Sequence, residues 1–134
     1  MKKFMFLLLL AFAVNACSVD DGVTSVEVLL PVEDVEMPTQ YTVDHLSTFM
    51  VKYRRPTDCH IFNGFYTETE GNISTIGIKA VKFNQDNCLD DDESLYEIPL
   101  QWTPTEPGEY MFKFWTGNTV AGEPIFIEHE IVVE

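Results

Sequence analysis

The sequence predicts an all-β fold: an antiparallel β-sandwich of about seven strands behind a short apolar leader. Three observations predict it. First, no stretch after the leader has the length and period of an amphipathic helix. Short runs rich in β-branched and aromatic residues recur instead, separated by Gly, Pro, Asn and Asp. Second, the run 109–116 alternates cleanly, with Tyr110, Phe112 and Phe114 to one side and Met111, Lys113 and Trp115 to the other. Third, aromatic residues make up 13% of the chain. That is enough to fill a core, although an acidic chain poor in aromatics would read as disordered.

Residues 1–16 form the leader. Lys2 and Lys3 open it, and 4–14 is an unbroken apolar run, FMFLLLLAFAV. A charged start, a short apolar stretch and small residues before a cut define a secretory signal peptide. The run falls well short of the roughly 20 residues that cross a bilayer as a helix. Val14-Asn15-Ala16-Cys17 then resembles the lipobox of bacterial lipoproteins. The resemblance implies that the Cys17 thiol carries diacylglyceryl, that the leader is cut before it, and that the new amino terminus is acylated, with palmitate as a typical chain. Several acyl chains on one residue hold a protein on a membrane far more firmly than one. Ser18 after the cysteine resembles lipoproteins sent to the outer membrane. Asp20 and Asp21 resemble the surface-export signals of Bacteroidota lipoproteins. The alternative is an ordinary secreted chain cut after Ala16, which leaves Cys17 as an odd thiol.

The chain carries 22 acidic against eight basic residues, a formal charge of −14. Two of the basic residues lie in the leader, so the processed chain stands at −16. That charge repels nucleic acid and anionic lipid head groups. Beyond Cys17 only Cys59 and Cys88 remain. Export places them in an oxidising compartment, where a pair bridges. Zinc is the rival, but two thiolates without CxxC spacing make a poor site.

In order, 17–22 is a lipidated polar tether and 23–134 the sandwich. The run 23–30 is the first strand, and Pro31 ends it. The acidic stretch 32–39, with Pro38, reads as a connection or irregular edge. The next strand core is 47–53, stopped by Pro56. Residues 59–66 pair with 73–83 across a turn read at 67–72 (TETEGN). The polar loop 84–94 holds Asp86, Asp90, Asp91, Asp92 and Glu93, and Cys88 ties it down. A strand at 95–102 is broken near Pro99. The strand 109–116 leads through a turn at 116–124 into 125–133, with Ile125, Ile127, Ile131 and Val133 on one face.

The stretch Glu106-Pro107-Gly108-Glu109-Tyr110-Met111-Phe112 resembles the tyrosine corner of immunoglobulin-like domains, with Glu for Asp and Phe112 for Cys. This resemblance implies an immunoglobulin-like sandwich, 109–116 as its penultimate strand, and a structural hydrogen bond from the Tyr110 hydroxyl to upstream backbone. A small closed barrel is the second fold, though it wants an eighth strand. Over most of its length the chain is similar to small sandwich lipoproteins of Bacteroidota and to the C-terminal sandwich of NigD-like proteins. The residues that carry this are Tyr53-Arg54-Arg55-Pro56, Cys59-His60-Ile61-Phe62, Cys88 and Gly108-Glu109-Tyr110-Met111-Phe112-Lys113-Phe114-Trp115. That family implies no activity and no cofactor.

Chemistry is sparse. His45, His60 and His129 show no metal-ligand spacing. Asp58-Cys59-His60 looks like nucleophile chemistry, but Cys59 is a disulfide half, and neighbours on a strand face opposite ways. His129 alternates with Ile127 and Ile131, as a packed or rim histidine does. The acidic loop 86–93 could hold Ca²⁺, yet it lacks EF-hand spacing and reads as solvated. No phosphate loop, dinucleotide fingerprint or hydrolase motif is present. Tyr66, Trp102, Trp115 and Phe126 could form a surface that stacks glycans or meets a partner protein, or they could fill the core. Lys113 beside Trp115 hints that this face meets water. The expectation is a non-enzymatic lipoprotein at the outer membrane, a binding or structural module anchored through Cys17. A glycan-binding module and a hydrolase using loop carboxylates are the alternatives.

Overall fold

The computed structural model describes residues 22–134. The leader, Cys17 and all but the last residue of the tether lie outside them. The described chain contains eight strands and no helix: β1 Ser25–Leu30, β2 Val32–Glu36, β3 Ser47–Tyr53, β4 His60–Glu70, β5 Ile73–Phe83, β6 Tyr96–Trp102, β7 Gly108–Asn118 and β8 Pro124–Val133. They form two sheets. One is β2-β3-β6; the other holds β1, β4, β5, β7 and β8.

In the larger sheet β5 is the centre. β4 runs along one edge of it, from the Glu70–Ile73 pair to the His60–Lys82 pair. Its other edge is shared end to end. β1 takes the C-terminal half, with Leu30 opposite Ile78, and β7 takes the N-terminal half, with Ile76 opposite Phe114. β8 then pairs with β7.

The two sheets close over one core, because alternating residues of each point at the other. Ile76, Ile78, Ala80, Phe112 and Phe114 come from the larger sheet, and Val32, Val35, Phe49, Val51 and Tyr53 from the smaller. The Phe49 ring meets Phe112 edge-on at 4.9 Å, and Trp102 packs on Phe112 at the same distance. Phe49 and Phe114 are wholly buried. Each such side chain contributes roughly 1.5–3 kcal/mol through the apolar area it removes from water.

The all-β sandwich agrees with the sequence, and several details depart from it. There are eight strands, because the acidic stretch after Pro31 pairs with β3 as an edge strand with a register shift between Val32 and Asp34. Val32 and Val35 face the core while Glu33, Asp34 and Glu36 stay exposed. Pro99 does not break β6. It sits opposite Met50 in an unbroken ladder on an edge strand, where a missing N–H can face away from the sheet. The turn expected over 67–72 shrinks to Gly71-Asn72, since Thr67–Glu70 continue the ladder against Ile73–Ile76. The β5–β7 ladder is parallel. An all-antiparallel immunoglobulin-like pattern does not include it. It arises because the chain leaves the larger sheet between these strands to make β6 in the other one. At the start of β7 the Tyr110 hydroxyl donates to the Glu106 carbonyl at 2.8 Å.

Cys59 and Cys88 are joined by a disulfide, with Cα atoms 5.5 Å apart. The loop 84–94 is exposed along most of its length, as a solvated loop is, and is tied down at Cys88 and Asp91. The Arg55 Nε donates to an Asp91 carboxylate oxygen at 2.5 Å, and the Tyr96 hydroxyl donates to that same oxygen. Tyr96 also lies under the Arg55 guanidinium, 4.8 Å from it. Asp58 and Leu89 exchange two further bonds, Asp58 N–H to the Leu89 carbonyl and Leu89 N–H to the Asp58 carboxylate, both at 2.9 Å. The loop is docked on 54–60 because its charge meets Arg55 there.

Candidate functional site

One β-bulge aims part of the site, and a second bounds it. Phe62 and Phe65 are three residues apart, which in a regular strand would put them on opposite faces. A register shift between them, with Gly64 at φ 97°, inserts extra chain. Both rings therefore turn inward and pack together at 5.4 Å, and Tyr66 turns outward opposite Gly77. On β7 a second shift lies between Trp115 and Gly117, which has φ 132°. It ends the regular alternation just after Trp115 has been placed outward, opposite Phe126.

The result is a row across the outer face of the larger sheet: Tyr66 on β4, Gly77 on β5, Trp115 on β7 and Phe126 on β8. Together with Leu29, Thr75 and Ile76 these residues line a shallow apolar groove of about 180 Å³. Gly77 gives the row its dip, since no side chain fills the space beside Leu29 and Tyr66. The Trp115 indole N–H donates to Asn118 Oδ1 at 3.0 Å, which fixes the ring's orientation. Two pairs further along the ladders, on the same face, runs a polar row: Glu68 opposite Thr75, and Lys113 opposite Glu128. The Lys113 ammonium lies 4.4 Å from the Phe126 ring centre. The Tyr66 hydroxyl donates to Glu68 at 2.9 Å. That bond raises the phenol above its ordinary pKa.

The smaller sheet shows what an exterior face looks like without such a row. There Lys52 stands between Glu36 at 2.7 Å and Glu97 at 3.6 Å. Charge, not aromatic area, meets the water.

Of the four aromatics singled out in the sequence, the structure brings three together: Tyr66, Trp115 and Phe126. The fourth, Trp102, faces inward among Tyr41, Phe49, Tyr110 and Phe112. Leu29, Thr75 and Gly77 were not singled out. Leu29 reaches the row only because β1 shares an edge of β5 with β7, a long-range fact.

The remaining candidates stay apart from this face. His45 is exposed and bonds the Val43 carbonyl through its own ring. His60 is buried, with Nδ1 3.0 Å from the Thr57 hydroxyl. Burial pushes its imidazole below the usual value. His129 lies edge-on to Phe114. Asp58, Cys59 and Cys88 gather ligating atoms within 4.8 Å, but the two sulfurs are bonded to each other and offer no thiolate. No other His, Cys, Asp and Glu group of that kind occurs among the described residues. Asp91 is held by Tyr96 and Arg55, which together lower its carboxyl below the usual range.

No known protein family matches the chain, and no match was found among curated proteins or solved structures.

Proposed function

We propose that this protein is a non-enzymatic binding module that takes saccharides on the outer face of its larger sheet. The observation that carries the reading is the row of Tyr66, Trp115 and Phe126 around the dip at Gly77. Aromatic rings gathered around one apolar dip suit the C–H faces of pyranose sugars, as apolar bodies with a polar rim do generally. The row of Glu68, Thr75, Lys113 and Glu128 beside it supplies both acceptors and donors for ring hydroxyls. The formal charge of −14 favours neutral over anionic glycans. An enzyme would need a convergent acid, base and nucleophile, and the groove lining holds no carboxylate, histidine or lysine.

The module is tethered by lipid on Cys17, at the outer membrane and on its external side. The leader ending at Cys17, with Ser18, Asp20 and Asp21 after it, supports this half of the reading. Labelling cells with an alkyne fatty acid tests it. Wild-type protein takes up the label and Cys17→Ala does not; unlabelled wild type refutes the anchor.

The binding half is tested on an array of neutral polysaccharides, followed by affinity electrophoresis on each hit. Trp115→Ala is expected to weaken binding at least tenfold, about 1.4 kcal/mol. A hit that Trp115→Ala and Tyr66→Ala both leave unchanged refutes this face as the site.

A further inference from the structure

We infer that the free edge of β8 docks an extended segment of another protein, one with basic residues at alternate positions. β8 ends the larger sheet, with β7 on one side of it. Its ladder to β7 runs without a shift from Phe126 to Val133. Backbone groups of successive residues in a strand point to opposite sides, so one bond fixes the direction of the rest. Glu134 N–H donates to Tyr41 O at 3.1 Å, and Glu134 O accepts from Val43 N–H at 3.2 Å, both away from β7. On the other side the Ile125 carbonyl accepts from the Thr116 hydroxyl of β7 at 3.4 Å. Phe126, Glu128 and Glu130 therefore present their N–H and C=O groups off the sheet. Among the described residues no backbone bond from outside β7 reaches them. The segment 37–42 meets β8 only at its end, where Tyr41 bridges to Val133. It leaves a groove of about 690 Å³ beside Glu130 and Val132.

An open edge is a template for a further strand, and proteins blunt the edges they do not use. The other edges of this fold are blunted. β2 has five residues and a register shift, and β6 carries Pro99. β4 is interrupted by the bulge between Phe62 and Phe65, and β1 has only six residues. β8 has ten residues, no lysine, and no proline after its first position. Its one guard is charge. Glu128 and Glu130 are both exposed, and among the described residues neither joins an ion pair.

That guard selects the occupant. A second copy paired antiparallel about the middle of β8 would set Glu128 against its own counterpart or against Glu130. Like charges directly opposite are destabilising, and each chain carries a formal charge of −14. A strand with Lys or Arg at those places turns the same two carboxylates into favourable cross-strand pairs. Along the outer face β8 reads Phe126, Glu128, Glu130, Val132. The matching strand therefore reads apolar, basic, basic, apolar at every second residue, and this pattern is the same in either chain direction. Main-chain bonds supply the affinity and the alternate side chains the specificity.

The edge adjoins the aromatic row at Phe126 and stands whether or not that row binds saccharides. The full-length protein in detergent is titrated with the end-blocked peptide Val-Thr-Lys-Thr-Lys-Thr-Val and with the same peptide carrying Glu for both Lys. Amide exchange followed by NMR should slow at Phe126, Glu128 and Glu130, whose N–H groups gain a partner. It should not change at Ile127 and His129, whose N–H groups already face β7. The acidic peptide should bind at least tenfold more weakly, and the double variant Glu128→Lys, Glu130→Lys should reverse that order. Glu128→Pro removes one outward N–H without touching the ladder to β7, so it should abolish peptide binding with the melting temperature within a few degrees of wild type. Should that variant not fold, the charge reversal alone decides. Trp115→Ala should leave peptide binding unchanged, which separates this edge from the row. Equal binding of the two peptides, slowed exchange at Ile127 and His129 instead, or no slowing along β8 would each overturn the inference. So would a dimer of the unliganded protein held through β8, since the occupant would then be a second copy.

Discussion

The docked loop 84–94 and the aromatic row on β4, β7 and β8 both join parts of the chain far apart in sequence, but they end in opposite states. In the loop the groups that meet 54–60 find partners. Asp91 takes Arg55 and Tyr96, Asp58 takes the Leu89 N–H, Cys88 takes Cys59, and the Glu93 carbonyl accepts from Arg54. In the row, apolar area lies partly open: Tyr66 is 43% and Leu29 45% exposed, and Trp115 and Phe126 are half-buried. A satisfied cluster contributes to the fold and has nothing left to offer a ligand. A partly open aromatic row contributes less to the fold and keeps area for something else. The difference separates structural residues from candidate functional ones more sharply than residue type does, since the loop holds the chemistry-bearing side chains and the row holds almost none.

The largest effect that would sharpen this contrast lies in the disulfide. The bridge spans 29 residues, and closing a loop of that length restricts the unfolded chain by about 3.6 kcal/mol. Cys88→Ser should lower the melting temperature by roughly 10 °C. Reductant should do the same to wild type and add nothing to a Cys59→Ser, Cys88→Ser double variant. Saccharide binding at temperatures where the variant is folded should not change. Scanning calorimetry with and without reductant reads the first outcome. Lost binding in folded Cys88→Ser would break the contrast, because it would tie the loop to the site.

Much of the fold was legible because alternation is a local signal. β3 and β5 occupy the residues whose pattern marks them, since each has one face in the core and one outside. β2 was not legible as a strand. Its two core residues, Val32 and Val35, are three apart, a spacing that only the register shift against β3 reconciles with a single inward face. Ile125 is another case. It was expected to share a face with Ile127, Ile131 and Val133, and the shift at Gly117 leaves it 45% exposed. The aromatic row was half legible. Tyr66, Trp115 and Phe126 stood out by type, and alternation along β7 and β8 gives the side of Trp115 and Phe126, but the side of Tyr66 depends on the bulge before it. The Phe62-Asn63-Gly64-Phe65 spacing was the signal that could have revealed that bulge. The partner of Asp91 was not legible at all, because Arg55 lies 36 residues away.

A medium effect is expected from pH. The Tyr96 hydroxyl and then the Arg55 guanidinium hold the Asp91 carboxyl below its ordinary value. A carboxyl depressed in the folded state contributes stability that is present above its unfolded pKa of about 3.9 and lost as pH falls through the folded one. His60 acts higher. Its imidazole is depressed by burial, so its share is complete above about 6.5 and declines as pH falls below that. Urea midpoints measured from pH 7 to pH 2 should therefore fall in two steps. Asp91→Asn should flatten the lower step and leave the upper one. A lower step of unchanged size in Asp91→Asn would show that the loop is not docked through this carboxylate.

The smallest effect on stability should come from the row itself, and there the contrast is most exposed to failure. Trp102 and Trp115 are the same residue type on neighbouring parts of the fold. Trp102 packs against Tyr41, Phe49, Tyr110 and Phe112, so truncating it opens a cavity among rings that cannot all move in. Trp115 lies outside, held by the bond to Asn118 and by contact along the groove. Large-to-small changes in a core cost about 3–5 kcal/mol for Trp, whereas surface changes away from buried networks stay within about 0.5 kcal/mol. Trp115→Ala lies between these limits and near the lower one, because the ring is half-buried on the outer face and is not packed among the core rings as Trp102 is. Urea unfolding of the two variants at pH 7 should put Trp102→Ala well below wild type and Trp115→Ala within about 1 kcal/mol of it. If Trp115→Ala is as damaging as Trp102→Ala, the ring is a packing element, and its place on the outer face no longer argues for a ligand. If its stability is near wild type, the free energy of exposing an indole on this sheet is left without a structural return, and ligand binding is what supplies one.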